Sequence, residues 1–463
     1  MTVLFGAKIQ LARTAGVLAR WTGRGGGTSL PGKLLLRLEP QAITKLAARL
    51  PNGCVAVSAT NGKTTTATMT ASILTLAGHE LIHNRAGANM AGGIASTLLD
   101  AAGHGGHING DMGLFELDEF WLDTVITQTQ PRALLLTNLF RDQLDRYGEL
   151  ETIADRWDHV VRDLSPDCAL VLNADDPLVA DLGRERADTV YFGVQDSALS
   201  LGELPHASDS KHCRQCGAPY HYTDVYLGHL GHYCCESCGR ERPSPAVSAQ
   251  RITLHGTRAT TFLLVTPVGV RSVYLHLPGL YNVYNAVAAA ALCLTLGVDL
   301  DVVVAGLQAT SAAFGRAETI QIPGVSLQML LIKNPAGANE VLRTLALEPG
   351  QRDLLLVLND RIADGRDVSW IWDADFEVLD DHVGWAVCSG TRAAEMAVRL
   401  KYAGITKDRI QVIPDLASAL DSAASAASKS STLHVLPTYT ALLELQNLLE
   451  DRGHTRAYWE SAA

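Results

Sequence analysis

The stretch Val55-Ala56-Val57-Ser58-Ala59-Thr60-Asn61-Gly62-Lys63-Thr64-Thr65-Thr66 constrains this chain more than any other. A short apolar run ends in small residues, Gly62-Lys63-Thr64 follows, and a helix-compatible segment takes over. The pattern predicts strand, phosphate loop and helix. Backbone N–H groups of such a loop and of the helix N-terminus point at phosphate oxygens. Lys63 would reach the β- and γ-phosphates, and the Thr64 hydroxyl would hold Mg²⁺. ATP is therefore the first substrate to consider. The strict loop pattern asks for glycine five residues before Gly62, where Val57 stands. A bare Gly-Lys-Thr is common, so the longer string Thr60-Asn61-Gly62-Lys63-Thr64-Thr65 carries the specificity.

A chain of 463 residues exceeds what one core accommodates, and two or three domains are expected. The 47% apolar content is that of a globular protein, and the net charge of −11 argues against a general nucleic-acid binder. No apolar run approaches a membrane span. Met1 to Arg24 lacks the cleavable apolar core of an export signal and keeps Lys8, Arg13, Arg20 and Arg24, so the cytoplasm is the expected compartment. That segment could form a basic helix touching a membrane surface, or one packed on the first domain; packing is the simpler expectation.

Five of the nine cysteines lie between 213 and 238. In a reducing compartment such clustering suggests metal rather than disulfides. Cys213-x-x-Cys216 and Cys235-x-x-Cys238 are each followed by a glycine, Gly217 or Gly239, that permits the tight turn of a zinc knuckle. Four thiolates would close a tetrahedron with no open position, a structural Zn²⁺ site. Cys234 could stand in for Cys235, but only Cys235 completes the second pair. His212, His229 and His232 lie nearby as outer-shell or surface residues.

Along the chain, a helix is expected over Ala67–Leu76, with buried strands at Ala133–Asn138 and Ala169–Asn173, the alternation of a parallel α/β sheet. Asn138, Asn173, Asp175 and Asp176 fall at strand carboxyl ends, where ligands bind. Residues 203–248 break the pattern and read as an insertion; a small-residue helix follows over Asn285–Leu296. Beyond Gly315-Arg316, strand candidates at Leu354–Leu358, Trp385–Cys388 and Leu433–Leu436, with a helix over Arg392–Tyr402, predict a second, smaller α/β domain. The expected division is a helical segment at 1–48, an ATP-binding domain at 49–315 and a C-terminal domain at 316–463.

The Thr60–Thr65 string resembles the ATP loop of the Mur ligases and folylpolyglutamate synthases, which usually carry glycine where Ala59 stands. Further strings match that superfamily in order. Phe115-Glu116-Leu117-Asp118-Glu119 resembles the strand whose glutamate binds Mg²⁺, implying Glu116 as the metal ligand. A hard cation would reconcile that carboxylate with the phosphates. Asn138-x-x-Arg141-Asp142-x-x-Asp145-Arg146 is similar to the family's Asn-x-x-x-Asp-His-Leu-Asp-type segment, with Gln143 where many members have His. Leu172-Asn173-Ala174-Asp175-Asp176-Pro177, the Asn282/Asn285 pair near the adenine, and Gly315-Arg316-Ala317-Glu318 at the domain boundary also match. The fold implied is a Mur ligase-like parallel-sheet ATPase domain with a zinc-ribbon insertion, followed by a smaller α/β domain.

The last domain departs from ordinary Mur ligases. Where they carry Asp-Tyr-Ala-His-Asn-Pro, this chain reads Leu331-Ile332-Lys333-Asn334-Pro335-Ala336-Gly337. Together with the four-cysteine insertion, Phe140 to Arg146, and Ala363-Asp364-Gly365-Arg366-Asp367-Val368-Ser369-Trp370-Ile371-Trp372-Asp373, this resembles the MurT subgroup. That resemblance implies the ATP-using subunit of lipid II isoglutaminyl synthase. It would amidate the α-carboxylate of D-glutamate in the stem peptide through an acyl phosphate, in peptidoglycan synthesis. The resemblance also implies a heterodimer with a GatD-like glutaminase, and none of the nine cysteines here sits in a nucleophile-elbow string. A carboxylate from this chain would complete the partner's Cys-His pair. Asp367 is the first choice and Asp364 competes, with Trp370 and Trp372 available to dock; Asp360 and Asp373 read as structural. An ordinary amino-acid-adding ligase and a non-catalytic zinc-ribbon scaffold are the alternatives. The altered 331–337 string counts against the first, and retention of Lys63, Thr64 and Glu116 against the second.

Overall fold

A computed structural model describes residues 3–21, 29–84, 88–103, 107–142, 150–205, 208–310, 316–427 and 432–455. Gln143, Asp145, Arg146 and Gly315 lie outside these residues, as does the side chain of Arg316.

The first sheet is built from β1 (Cys54–Ser58), β2 (Leu81–His83), β3 (Met112–Leu117), β4 (Ala133–Leu136), β5 (Ala169–Asn173) and β6 (Val190–Val194). A hairpin, β7 (His221–Leu227) and β8 (Leu230–Cys234), stands apart as its own two-stranded sheet. The chain then returns as β9 (Val247–His255), β10 (Ala259–Thr266) and β11 (Gly269–Leu275). Among the described residues the order is β11-β10-β9-β6-β5-β4-β1-β3-β2, parallel from β2 to β9 and closed by antiparallel β10 and β11.

Side chains alternate across the pleat, so β1 feeds two cores. Cys54 and Ala56 join Leu35, Ile94, Leu98 and Trp157 on one face, while Val55 and Val57 join Met69, Ile73 and the alanine-rich Leu280–Thr295 helix on the other. Strands buried on both faces read as unbroken apolar runs, which is why they were legible. The N-terminal helix Val3–Trp21 packs by Phe5, Ile9 and Ala12 into the first of these cores, and Arg13 donates to the Leu99 carbonyl at 2.7 Å. The packed expectation therefore holds for its described side chains.

The second sheet comprises β12 (Arg316–Ile322), β13 (Val325–Leu330), β14 (Arg352–Val357), β15 (Val383–Ser389), β16 (Ile410–Val412) and β17 (Thr432–Pro437). Its order is β12-β13-β17-β14-β15-β16, parallel except for the β12–β13 hairpin. Leu354, Leu356 and Leu358 face one helical layer, Leu355 and Val357 the other. Two helices begin earlier than expected: Lys63–Leu76 starts at the phosphate-loop lysine and Leu280–Thr295 directly after Gly279. Both starts sit on glycines at positive φ, 82° at Gly62 and 85° at Gly279, and apolar periodicity does not register such a start.

Candidate active site

β1 lies between β3 and β4, where the strand order reverses, so a crevice opens at its carboxyl end. The phosphate loop occupies that crevice. Thr60 N donates to the Asn138 carbonyl at 3.0 Å and Asn61 N to Asn138 Oδ1 at 2.9 Å, while Asn138 Nδ2 returns a bond to the Asn61 carbonyl at 2.9 Å. Thr60 Oγ1 accepts from Phe140 N at 3.1 Å. Gly62 is required twice over. Its φ of 82° is left-handed, and a Cβ there would lie 2.1 Å from Asn285 Oδ1.

The two helix asparagines divide their work. Asn285 takes a bond from Thr66 Oγ1 at 3.2 Å and lines the cavity beside the loop. Asn282 braces it, accepting from Asn285 Nδ2 at 3.1 Å and donating to the Pro278 carbonyl at 2.7 Å. Thr65 also lines this cavity, and Thr64 is half-buried in the first helical turn.

Lys63 is buried, with Nζ 2.7 Å from Glu119 Oε2, and it also donates to the Ala59 carbonyl. Burial works against its charge, but Glu119, Asp118 and Glu116 together outweigh that and hold its pKa above the ordinary lysine value. Glu119 is held low in turn: burial opposes ionisation, and Lys63 and Lys333 overcome it. Glu116 sits on β3 beside Val57 of β1, fixed by a two-way amide contact with Asn84 at 2.8 and 2.9 Å. The structure thus brings Lys63, Thr64 and Glu116 to one place and adds Glu119, which carries no local sign of a role in the Phe115–Glu119 string.

A clamp from the second domain, without a local signature in the sequence, closes on the loop. Lys333 Nζ lies 2.5 Å from Asp142 Oδ2 and 3.2 Å from the Thr60 carbonyl. Asn334 and Asn61 exchange side-chain amide bonds at 3.0 and 3.2 Å, and Asn334 Oδ1 caps the Pro335–Ala346 helix through Gly337 N. The phosphate loop and this helix N-terminus therefore face each other. Between them lies a cleft of about 860 Å³ including its open mouth, lined by Asn61, Gly62 and Thr65 of the loop and by the apolar Phe140, Tyr284, Leu331 and Val341. Loop residues and apolar side chains lining one cleft suit a nucleotide.

Asp175 and Asp176 hold the scaffold around the crevice. Asp175 receives Arg242 Nε at 2.6 Å and Tyr284 Oη at 2.7 Å. Asp176 caps the short Pro177–Asp181 helix and lies 3.3 Å from the fully buried His229.

The four cysteines converge. Cys213, Cys216, Cys235 and Cys238 Sγ atoms all lie within 4.8 Å of one another, with 3.6 Å for Cys213–Cys238 and 3.4 Å for Cys216–Cys235. Four sulfurs on one zinc at about 2.3 Å would stand about 3.8 Å apart, so the cluster could hold that metal. Gly217 N and Gly239 N close the knuckles onto the Cys213 and Cys235 carbonyls at 2.8 and 2.9 Å. Burial opposes ionisation of Cys213, but the Cys216 and Gln215 amides, with Tyr220 and Cys238, bring the thiol down to about 7. Cys234 stands outside the cluster.

In the second domain the two candidate aspartates differ. Asp364 is buried, accepts from Thr440 N at 2.7 Å and Arg361 N at 3.2 Å, and is pushed up by burial. Asp367 is exposed and kept low by the Ser369 amide at 2.8 Å. Trp372 is half-exposed and meets Tyr402 edge-on at 5.7 Å, while Trp370 packs against the domain core. Asp360 is tied to Arg392 at 2.7 Å.

A phosphate loop closed by a second α/β domain across a nucleotide-sized cleft defines a Mur-ligase-type enzyme, and the comparisons agree. The Mur ligase middle domain profile matches residues 57–293, and the MurT ligase C-terminal profile matches residues 331–442. The subunit MurT of lipid II isoglutaminyl synthase (glutamine-hydrolyzing) from Streptococcus pneumoniae is 33% identical over 93% of this chain and 94% of its own. Its namesake from Staphylococcus aureus strain N315 is 32% identical over 86% and 87%. Among solved structures, a pseudomurein peptide ligase type C from Methanothermus fervidus superposes with a TM-score of 0.66 at 24% identity, covering 88% of this chain and 80% of that one. The MurF ligase of Thermotoga maritima in complex with ADP gives 0.62 at 15%, covering 91% and 85%; these two likenesses speak to the fold. The chain belongs to the MurT family of Mur ligases. No described helix is long and apolar enough to cross a membrane.

Proposed function

We propose that this chain is the synthetase subunit of a two-chain amidotransferase, converting the D-glutamate α-carboxylate of lipid II to D-isoglutamine in peptidoglycan synthesis. The observation that carries this reading is the joint retention of Lys63, Thr64 and Glu116 around one phosphate loop, in a chain 33% identical along 93% of its length to a subunit named for that reaction. ATP supplies the phosphoryl group; Thr64 and Glu116 would hold Mg²⁺, which would offset its charge. A carboxylate oxygen attacks the γ-phosphorus and ADP leaves. Ammonia nitrogen then attacks the acyl carbon, phosphate leaves and a proton is lost. Lys63 turns from Glu119 toward the developing charge, where a fixed cation counts most. Arg316, at the start of β12, joins Thr60, Asn61, Gly62, Thr65, Asn282 and Asn285 as the nucleotide-binding set.

Ammonia at neutral pH is mostly the non-nucleophilic ammonium ion, so it is delivered by a GatD-like glutaminase docked on the 316–463 domain. Asp367 reaches into that partner to orient its histidine, because it is the accessible aspartate of the pair whereas Asp364 is spent on Thr440 and Arg361. The half-exposed Trp372 and the Tyr402 beside it suit such a contact. Zn²⁺ fills the four-cysteine site. The enzyme works in the cytoplasm, at the membrane face that carries its lipid-linked substrate.

The test is the mass of lipid II after incubation with ATP, glutamine and the partner. Acid-to-amide conversion supports the reading; addition of a whole amino acid would instead mark an ordinary ligase. Asp367→Asn should lose most glutamine-driven amidation and keep ammonia-driven amidation. Equal loss of both would remove Asp367 from the glutaminase.

A further inference from the structure

The four-cysteine cluster and the cleft beside the phosphate loop lie at opposite ends of one hairpin. β7 and β8 pair from His221–Cys234 at the cysteine end to Leu227–Leu230 at the tip. Cys235 follows β8 directly, about 17 Å of extended chain from Leu230. An isolated two-stranded hairpin is marginal in water, and this one is secured at both ends. At the cysteine end Cys213 and Cys235 pack with Tyr220 and Tyr233. At the tip Gly231 N donates to the Asp175 carbonyl at 2.9 Å, and His229 is sunk between Asp176 and the Phe140 ring. The turn fits tightly: Gly228 has φ 56°, and a Cβ on it would lie 2.9 Å from Phe140.

Leu227 and Leu230, on either side of that turn, line the same cleft as Gly62, Thr65 and Asn285. Leu331 and Val341 of the second domain line it as well. The cleft is lined both by the phosphate-loop residues Asn61, Gly62 and Thr65 and by these apolar side chains, so the part of a nucleotide that suits the leucines is its flat, apolar base. We propose that Leu227 and Leu230 are the wall on which the nucleotide base rests, so that metal in the four-cysteine cluster, by holding the hairpin, sets the affinity for ATP. The inference rests on the reading of this cleft as the ATP site and gives the ribbon a part in that site.

Calorimetric binding of ATP and of tripolyphosphate to the full chain tests it, because tripolyphosphate engages the loop and lacks a base. Leu230→Ala should raise the ATP Kd about tenfold, and Leu227→Phe, which fills the slot, should do the same, with the tripolyphosphate Kd and the bound-metal content unchanged. Stripping the metal with a chelator should weaken ATP by a similar factor, and returning Zn²⁺ should restore it. Unchanged ATP affinity in both leucine variants would overturn the proposal. So would equal weakening of ATP and tripolyphosphate, which marks general damage to the loop. Wild-type chain that binds tripolyphosphate but not ATP would overturn both this wall and the ATP reading, whereas normal ATP binding with insensitive leucines would overturn the wall alone.

Discussion

At the scale of single residues, the site is a set of buried charges kept in balance. Lys63 and Glu119 pair at 2.7 Å with side chains only 10% and 12% exposed. Removing one partner of a buried pair leaves the other charge uncompensated, at a cost of about 3–5 kcal/mol. Asp118 and Glu116 also support the lysine charge, so Glu119→Gln is expected at the low end, about 3 kcal/mol, read from urea unfolding. Glu119 escaped the sequence reading because Glu116, in the same string, matched a known ligand position. Nothing local says which carboxylate meets the lysine, since 56 residues separate Glu119 from Lys63. Asp364 and Asp367 show the same limit. Both sit in one polar string, and only the Thr440 amide arriving from far along the chain separates a spent carboxylate from an available one.

At the scale of elements, patterns confined to a few neighbouring residues were readable. The strand, loop and helix over 54–76, the strand Ala169–Asn173, and the paired Cys-x-x-Cys knuckles are all written locally. The four-cysteine cluster was legible, but the arrival of Leu227 and Leu230 at the cleft was not, because that depends on where the hairpin tip lands. One strand residue gives a pH prediction. His434 on β17 is buried, and burial first, then Arg352, pushes its pKa down from 6.5 to about 4. Between those values the unfolded chain binds the proton and the folded chain does not, so stability rises with pH across that window and is lost as pH falls. The shift corresponds to something on the order of 3 kcal/mol. His434→Gln should flatten the stability–pH curve between about pH 4 and 6.5, measured by thermal unfolding across that range; an unchanged slope would contradict the assignment.

At the scale of the whole molecule, two α/β domains close on one loop. The clamp is small: Lys333 on Asp142 and the Thr60 carbonyl, and the Asn334–Asn61 amide pair. It spans 191 residues at Lys333–Asp142, and the sequence showed it only as an unexplained lysine where ordinary Mur ligases have histidine. Lys333→Met should loosen the nucleotide-free closed arrangement, raising the radius of gyration in small-angle scattering, and should slow amidation about ten- to a hundredfold, since misplacement of about 1 Å costs that order. Normal compactness with normal rate would remove the clamp from the account.

The central claim is that ATP energy turns a carboxylate into an acyl phosphate at the Gly62-Lys63-Thr64 loop. The most direct measurement follows heavy oxygen placed in the D-glutamate α-carboxylate of lipid II through one round of amidation with the partner present. The account predicts one labelled oxygen in inorganic phosphate for every amide formed, and neither label transfer nor amide with Lys63→Ala. Label in AMP, or amide formed with both labelled oxygens absent from phosphate, would contradict it.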